Sequence, residues 1–402
     1  MTNRLRQGPS SSLNLQPGAA YIYALAPCGD DALAVISSDN SLRCFSRSTL
    51  QLLSGGVKTS IHVGQRQESG ATGLCQVSVA GGSPAVATSG RDGTVKIWDL
   101  RASGNDPVST FFTENYPPLT ALSFNAQTNT VVAGTELVSY QASVAFWDIR
   151  SPGPPRLQYV DSHNDDVTEL QFHPTRPAIL LSGSTDGLVN IYDTTVTDED
   201  DAGLQVIKHS SIHRAGFLDD QTIFALSHDE IFSIHPLTNP DDDATESAAP
   251  VHFGDVRPSL ECEYVVQILS SPSGAYIAAG STSRQTLDLV PIVQTPPFKF
   301  SFDRSRMWRL PGAHGEEVVR SVFLDEQSQT LFSCGEDGLV RVWREDEQQG
   351  VSPDYVKPKE NAQHGLPIRH HKQHKSHPQS KPERETSKKH KEKKQKKGFN
   401  PY

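Results

Sequence analysis

Thr88 to Arg101 reads TSGRDGTVKIWDLR. Small polar residues lead into Arg91-Asp92-Gly93, and the chain continues as Thr94-Val-Lys-Ile-Trp98, with apolar and polar side chains alternating. A period of two puts successive side chains on opposite faces of an extended strand. Asp-Gly suits a tight reversal because glycine accepts positive φ. The stretch is thus predicted to be a hairpin, its second arm ending in Trp98-Asp99-Leu100-Arg101. Trp-Asp-x-Arg returns 49 residues later in AFWDIR, Ala145 to Arg150.

Self-similarity at a fixed period is the test that this repetition invites. The six-residue step from Asp92 to Trp98 recurs from Asp186 to Tyr192 in SGSTDGLVNIYD, from Asp337 to Trp343 in SCGEDGLVRVW and from Asp39 to Phe45 in SSDNSLRCF. Trp147 points back to Gln141, and weaker copies run from Asp229 to His235 and from Ser283 to Leu289. The turns at 39, 92, 141, 186, 229, 283 and 337 are separated by 53, 49, 45, 43, 54 and 54 residues. Each unit is a set of short alternating runs broken by Gly, Asp, Ser and Pro, the chemistry of strands and turns. One four-stranded sheet cannot bury both of its faces. A ring of seven can, because each sheet packs on its neighbours.

These units resemble WD repeats, and the resemblance, from about Tyr21 to Arg344, implies an all-β fold: a seven-bladed WD-repeat β-propeller. In that family a His, a Ser or Thr, the turn Asp and a Trp form a hydrogen-bonded tetrad. His314, Ser333, Asp337 and Trp343 match it in full; His163, Ser182 and Asp186 match with Tyr192 in place of Trp; Thr88, Asp92 and Trp98 match without a clear His. A buried carboxylate and a buried indole N–H each need a partner, so these residues read as structural. DSHNDDVTELQFHP with SGSTDGLVNIYD, the acidic run that follows, LSHDEIF and GAHGEEVVRSVF resemble the WD repeat-containing protein 89 family more closely. The expected organisation is an N-terminal arm over 1–17, the propeller over 18–357 and a disordered Lys/His-rich basic tail over 358–402. Residues near 13–15 or 354–356 are expected to supply the strand that closes the ring.

Charge divides along the same lines. Twelve of the 37 Lys and Arg and three of the 47 Asp and Glu fall between Arg369 and Lys397. That segment carries +9 and the remainder −19. The run of Lys388, Lys389, Lys391, Lys393, Lys394, Lys396 and Lys397 has no apolar residues to fold around. Such runs serve as nuclear or nucleolar addresses, or contact nucleic acid nonspecifically through phosphate charge. The acidic remainder would steer a basic partner, such as a histone or a ribosomal protein, toward the propeller.

No Gly-rich phosphate loop, His-Glu-x-x-His or nucleophile elbow occurs, so no enzyme activity and no cofactor are expected. The acidic run Asp198 to Asp201 lacks the Glu that a calcium loop needs at its twelfth position, which is His209, and reads as a solvated loop, as does Asp241 to Asp243. His370, His371, His374 and His377 have nothing to fix metal geometry, so no metal site is assigned. Five cysteines without a C-x-x-C pair read as reduced thiols. GAAYIYALAP, after a long polar leader, reads as a strand, and no run reaches the ~18 apolar residues of a membrane span.

Two surfaces remain as candidates for function. WD-x-R resembles the box by which propellers dock on the adaptor of cullin-4 ubiquitin ligases, which nominates Trp98, Asp99 and Arg101 with Trp147, Asp148 and Arg150 on the bottom rim. The same arginines can instead brace a loop. On the opposite rim the family position before each turn Asp nominates Arg91, Tyr140, Thr185, His228 and Glu336 as contacts for a target. Two functions stay open: a nuclear substrate receptor of a cullin-4 ligase, or a ribosome-assembly or chromatin factor whose tail contacts RNA or DNA.

Overall fold

The computed structural model describes residues 3–12, 20–58, 70–78, 84–100, 106–238, 248–271 and 274–345. Arg101, Asp241 to Asp243, the residues at 13–15 and 354–356 and the whole histidine- and lysine-rich tail lie outside the described residues. The described residues all belong to one compact unit, Met1–Gly350.

Among the described residues there are seven four-stranded antiparallel blades. Their innermost strands are Ile22–Pro27, Ala71–Ser78, Leu119–Asn125, Val167–Phe172, Ile212–Asp219, Tyr264–Ser271 and Val319–Asp325. Each innermost strand packs beside the next, and the seventh packs beside the first, so the ring closes. Seven buried apolar clusters hold it, one at each junction between neighbouring blades. Ile22 and Phe332 share the cluster between blades one and seven, for example, and Val131 and Ala87 that between blades two and three. Both faces of each sheet are therefore buried, which a lone sheet cannot achieve.

The ring is closed by Asn3–Ser12. This strand pairs antiparallel with Leu339–Glu345, making the outer strand of blade seven, and its first residues pair parallel with Trp308–Pro311 of blade six. Part of the segment read as an arm is thus blade, and the closing strand lies earlier than the sequence suggested. Arg-Leu-Arg-Gln-Gly-Pro carries no apolar alternation because an outer strand is held mainly by the backbone ladder of its neighbour.

Every innermost strand slips register after its first residue, or in blade six its second, leaving one residue bulged: Tyr23, Thr72, Thr120, Thr168, His213, Val266 and Arg320. A bulge bends a strand and re-aims its side chain. Several of these side chains reach the next blade: Thr120 Oγ1 donates to the Val167 carbonyl at 2.5 Å, Thr168 Oγ1 to that of Ile212 at 2.7 Å, and the Tyr23 hydroxyl to that of Ala71. Gln171 Oε1 accepts from Phe217 N–H at 2.8 Å, and Gly216 beside it leaves room for the Gln171 amide, which a Cβ there would push aside.

The acidic run at 198–201 is not a free loop. Asp198 caps a helical turn, Glu199–Ala202, and Glu199 accepts the backbone N–H groups of Val160, Asp161 and Ser162 at 2.6, 3.0 and 2.7 Å. The carboxylate clamps the connection between blades three and four, satisfying donors that would otherwise lack partners.

Candidate functional site

The polar quartets are built where the second and third strands of a blade meet at its turn. In blade seven His314 Nδ1 lies 2.7 Å from Asp337 Oδ1, and its Nε2 lies 2.8 Å from Ser333 Oγ. Trp343 Nε1 donates to the same Ser333 Oγ at 2.9 Å. A carboxylate only accepts, so the imidazole carries its proton on Nδ1 and accepts on Nε2 from the serine. Blade four repeats the chain: His163 Nδ1 to Asp186 Oδ2 at 3.0 Å, His163 Nε2 to Ser182 Oγ at 2.7 Å and Tyr192 OH to Ser182 Oγ at 3.0 Å. Burial pushes both carboxyls up, but the histidine, the backbone N–H donors and, at Asp337, the Arg341 guanidinium together outweigh it and hold Asp186 and Asp337 below the usual carboxylate range.

Blade two divides the job. Trp98 Nε1 donates to Thr88 Oγ1 at 2.9 Å, while Asp92 is held separately by Lys96 Nζ at 2.6 Å and the Thr94 hydroxyl at 2.6 Å. Buried Lys96 takes over the neutralising role of the missing histidine. A basic residue four places after the turn Asp recurs as Arg43 on Asp39 at 2.8 Å and Arg341 on Asp337 at 2.7 Å. That spacing was legible in the sequence and is the signal that an inspection for histidine alone misses. Blade three is the incomplete case. Trp147 is buried, but Ala133 stands where Ser333 stands in blade seven, and among the described residues Trp147 Nε1 has no hydrogen-bond partner. In blade five His235 fills the aromatic position 2.8 Å from Ser233 Oγ; burial and the neighbouring His252 and His209 push its pKa down to about 4.

The box residues lie at the end of the third strands, away from the turns. Trp98 and Trp147 face inward and are not available to a partner. Arg150 is exposed, and its guanidinium grips Asp148 twice, Nε to Oδ1 at 2.9 Å and Nη2 to Oδ2 at 2.6 Å. These hydrogen bonds hold Asp148 down to about 2. The fork is thus engaged by its own box, in a solvent-exposed pair that a better acceptor can replace. Asp99 ends the third strand of blade two, and Arg101 beyond it lies outside the described residues.

The opposite rim carries the other nominated side chains at the turns. Arg91 reaches Glu136 at 3.6 Å. Thr185 is half-buried, and its backbone N–H donates to the Asp166 carbonyl at 3.0 Å. His228 stacks on His213 with ring centres 5.2 Å apart, and Glu336 accepts from Arg320 Nε at 2.8 Å. Among the described residues the Tyr140 side chain is fully exposed. Between the rims runs a channel of about 500 Å³, lined by Thr72, Thr120, Thr168, Gln267 and the Glu169–Arg214 pair.

A closed ring of blades with engaged polar quartets and open rims defines a β-propeller that works as an interaction scaffold. The family model for the WD domain, G-beta repeat, matches residues 58–99, 155–193 and 306–344, ending in the blades that pair a turn Asp with Trp or Tyr six residues on. The chain is 31% identical to WD repeat-containing protein C63.06 of Schizosaccharomyces pombe over 81% of its length and 95% of that protein's. It is 42% identical to WD repeat-containing protein YNL035C of Saccharomyces cerevisiae over 62% of this chain and 61% of that protein, under two thirds of the latter's length. Against the WD repeat-containing protein 89 homolog of Dictyostelium discoideum it is 25% identical over 83% of this chain and 89% of that protein. A shorter match, 25% identical over 32% of this chain and 30% of that protein, is to the ribosome biogenesis protein WDR12 homolog of Nematostella vectensis. The chain belongs to the family of WD repeat-containing proteins.

Proposed function

We propose that this protein is a non-catalytic nuclear scaffold that holds a basic client on its propeller during ribosome assembly, with the tail contacting RNA or serving as the nuclear address. The division of charge within one chain, −19 against +9, carries this reading. An acidic propeller attracts a basic protein that would otherwise bind nucleic acid without discrimination, while the tail keeps the pair near RNA. The match to a ribosome biogenesis protein agrees with it. The test is affinity capture from nuclear extract with the full chain and with a chain lacking residues 369–402. The reading expects ribosomal proteins on both, and salt-sensitive RNA binding and nuclear enrichment on the full chain alone. Captured proteins no more basic than the extract as a whole contradict it.

A second reading, substrate receptor of a cullin-4 ligase, draws on the exposed Asp148–Arg150 pair on the face away from the turns. There the planar guanidinium would exchange Asp148 for an acceptor on the adaptor. Replacing Arg101 and Arg150 together by Ala is expected to abolish adaptor co-purification with thermal stability nearly unchanged; unaltered co-purification removes this reading.

A further inference from the structure

We infer that the turn of blade three, with the rim beside it, is the docking site for a lysine- and arginine-rich segment of a partner protein. The inference rests on the basic-client reading above and names the surface and the residues that would serve it. The hairpin Glu136-Leu-Val-Ser-Tyr-Gln141 stands out from the rim. Leu137, Val138 and Tyr140 are exposed, Tyr140 completely. The tip is a two-residue reversal closed by Val138 and Gln141, whose N–H groups donate to each other's carbonyls at 3.0 and 3.1 Å. Its two central residues, Ser139 and Tyr140, have φ of 55° and 66°. Left-handed backbone at both positions is what Asn-Gly adopts at little cost and what a bulky aromatic residue adopts only with strain. The fold thus holds a large, rigid, amphipathic ring in open solvent on an unfavourable backbone. Nothing in the packing of the blade calls for it.

The surroundings select the occupant. Glu136 N–H donates to the Pro118 carbonyl at 2.8 Å, and its carboxylate meets Arg91, which joins the hairpin to the loop before blade three and to the turn of blade two. Tyr116 of that loop stacks on Phe112, the last residue of the outer strand of blade two, with ring centres 4.7 Å apart, and its backbone packs over Gly93. On the other side Leu137 N–H donates to Asp166 Oδ1 at 2.7 Å, and Asp165 adjoins it. Glu136 and Asp166 therefore flank the exposed Leu137, Val138 and Tyr140, with Arg91 held on Glu136. This complements an ammonium or guanidinium group on the face of Tyr140, its stem against the exposed Leu137 and Val138, its neighbours on the carboxylates. A nucleic acid backbone is repelled by the same charges.

The test measures fluorescence polarisation of two labelled peptides, one alternating arginine with leucine and one alternating aspartate with leucine, on the full chain and on Tyr140→Gly. Glycine accepts the left-handed turn without strain, so this variant folds at least as well as the wild type. The account expects the arginine peptide alone to bind, Tyr140→Gly to weaken it about tenfold or more and the melting temperature to hold or rise. Equal binding to Tyr140→Gly overturns the site while leaving the basic-client reading standing. No binding of the arginine peptide to the wild type at low salt overturns both. If Tyr140→Gly instead converts a dimer to a monomer in sedimentation and leaves the peptide affinity unchanged, the patch is a self-interface and the proposal falls.

Discussion

Blades seven and three share a buried tryptophan at the same place in the third strand, yet treat it in opposite ways. Trp343 donates into a chain running through Ser333 and His314 to Asp337; Trp147 donates to nothing among the described residues. The difference comes down to one hydroxyl, Ser333 against Ala133, and to the turn, where Gln141 takes the place of Asp337 and exposed Tyr140 precedes it. The lesson is that the ring does not need every blade locked. Apolar packing between blades closes it, and a few complete quartets fix the geometry. That freedom lets one turn be given over to a contact surface.

The comparison can be broken by removing what blade seven has. Ser333→Ala strips the partner from both Trp343 Nε1 and His314 Nε2, two buried groups at about 1–3 kcal/mol each, so a loss of about 3 kcal/mol is expected in urea unfolding. Acid probes the same polar interior. His235 is held neutral by burial, its pKa lowered from 6.5 to about 4. The unfolded chain takes up that proton first, so stability present above pH 6.5 falls progressively down to about pH 4. Melting temperatures across that window should decline, and His235→Gln should flatten the decline.

The converse sharpens it. Ala133→Ser supplies the missing acceptor to Trp147 and is expected to stabilise by about 1 kcal/mol. Tyr140→Gly relieves left-handed strain at the turn of blade three and should raise stability by about 0.5–1 kcal/mol in the same assay. Arg150→Ala removes an exposed ion pair and should shift the unfolding free energy by less than about 0.5 kcal/mol, whatever it does to partner binding.

What the sequence disclosed follows from how local each signal is. Asp-Gly or Asp-Asn followed by alternating residues encodes a hairpin within a dozen positions, so the turns at 39, 92, 186 and 337 were legible, and the period then located 229 and 283. The closing strand was not, because its pairing with Leu339–Glu345 joins the two ends of the propeller and its own residues show no pattern. The seven bulges were hidden because a slip of register is a property of two strands, not of one. Glu199 and Lys96 were missed for a different reason. A run of acids looks solvated in composition, and only the fold reveals the backbone N–H groups that Glu199 serves. Lys96 was overlooked because a lone lysine looks solvated too, unless its four-residue spacing from the turn Asp is compared between blades.

The pair of serine exchanges, Ser333→Ala and Ala133→Ser, measured side by side in urea unfolding, bears most directly on the claim that a complete polar quartet stabilises its own blade while the ring tolerates an incomplete one. The account predicts opposite signs, a lower midpoint for the first and a higher one for the second. A midpoint unmoved by Ser333→Ala, or lowered by Ala133→Ser, would contradict it.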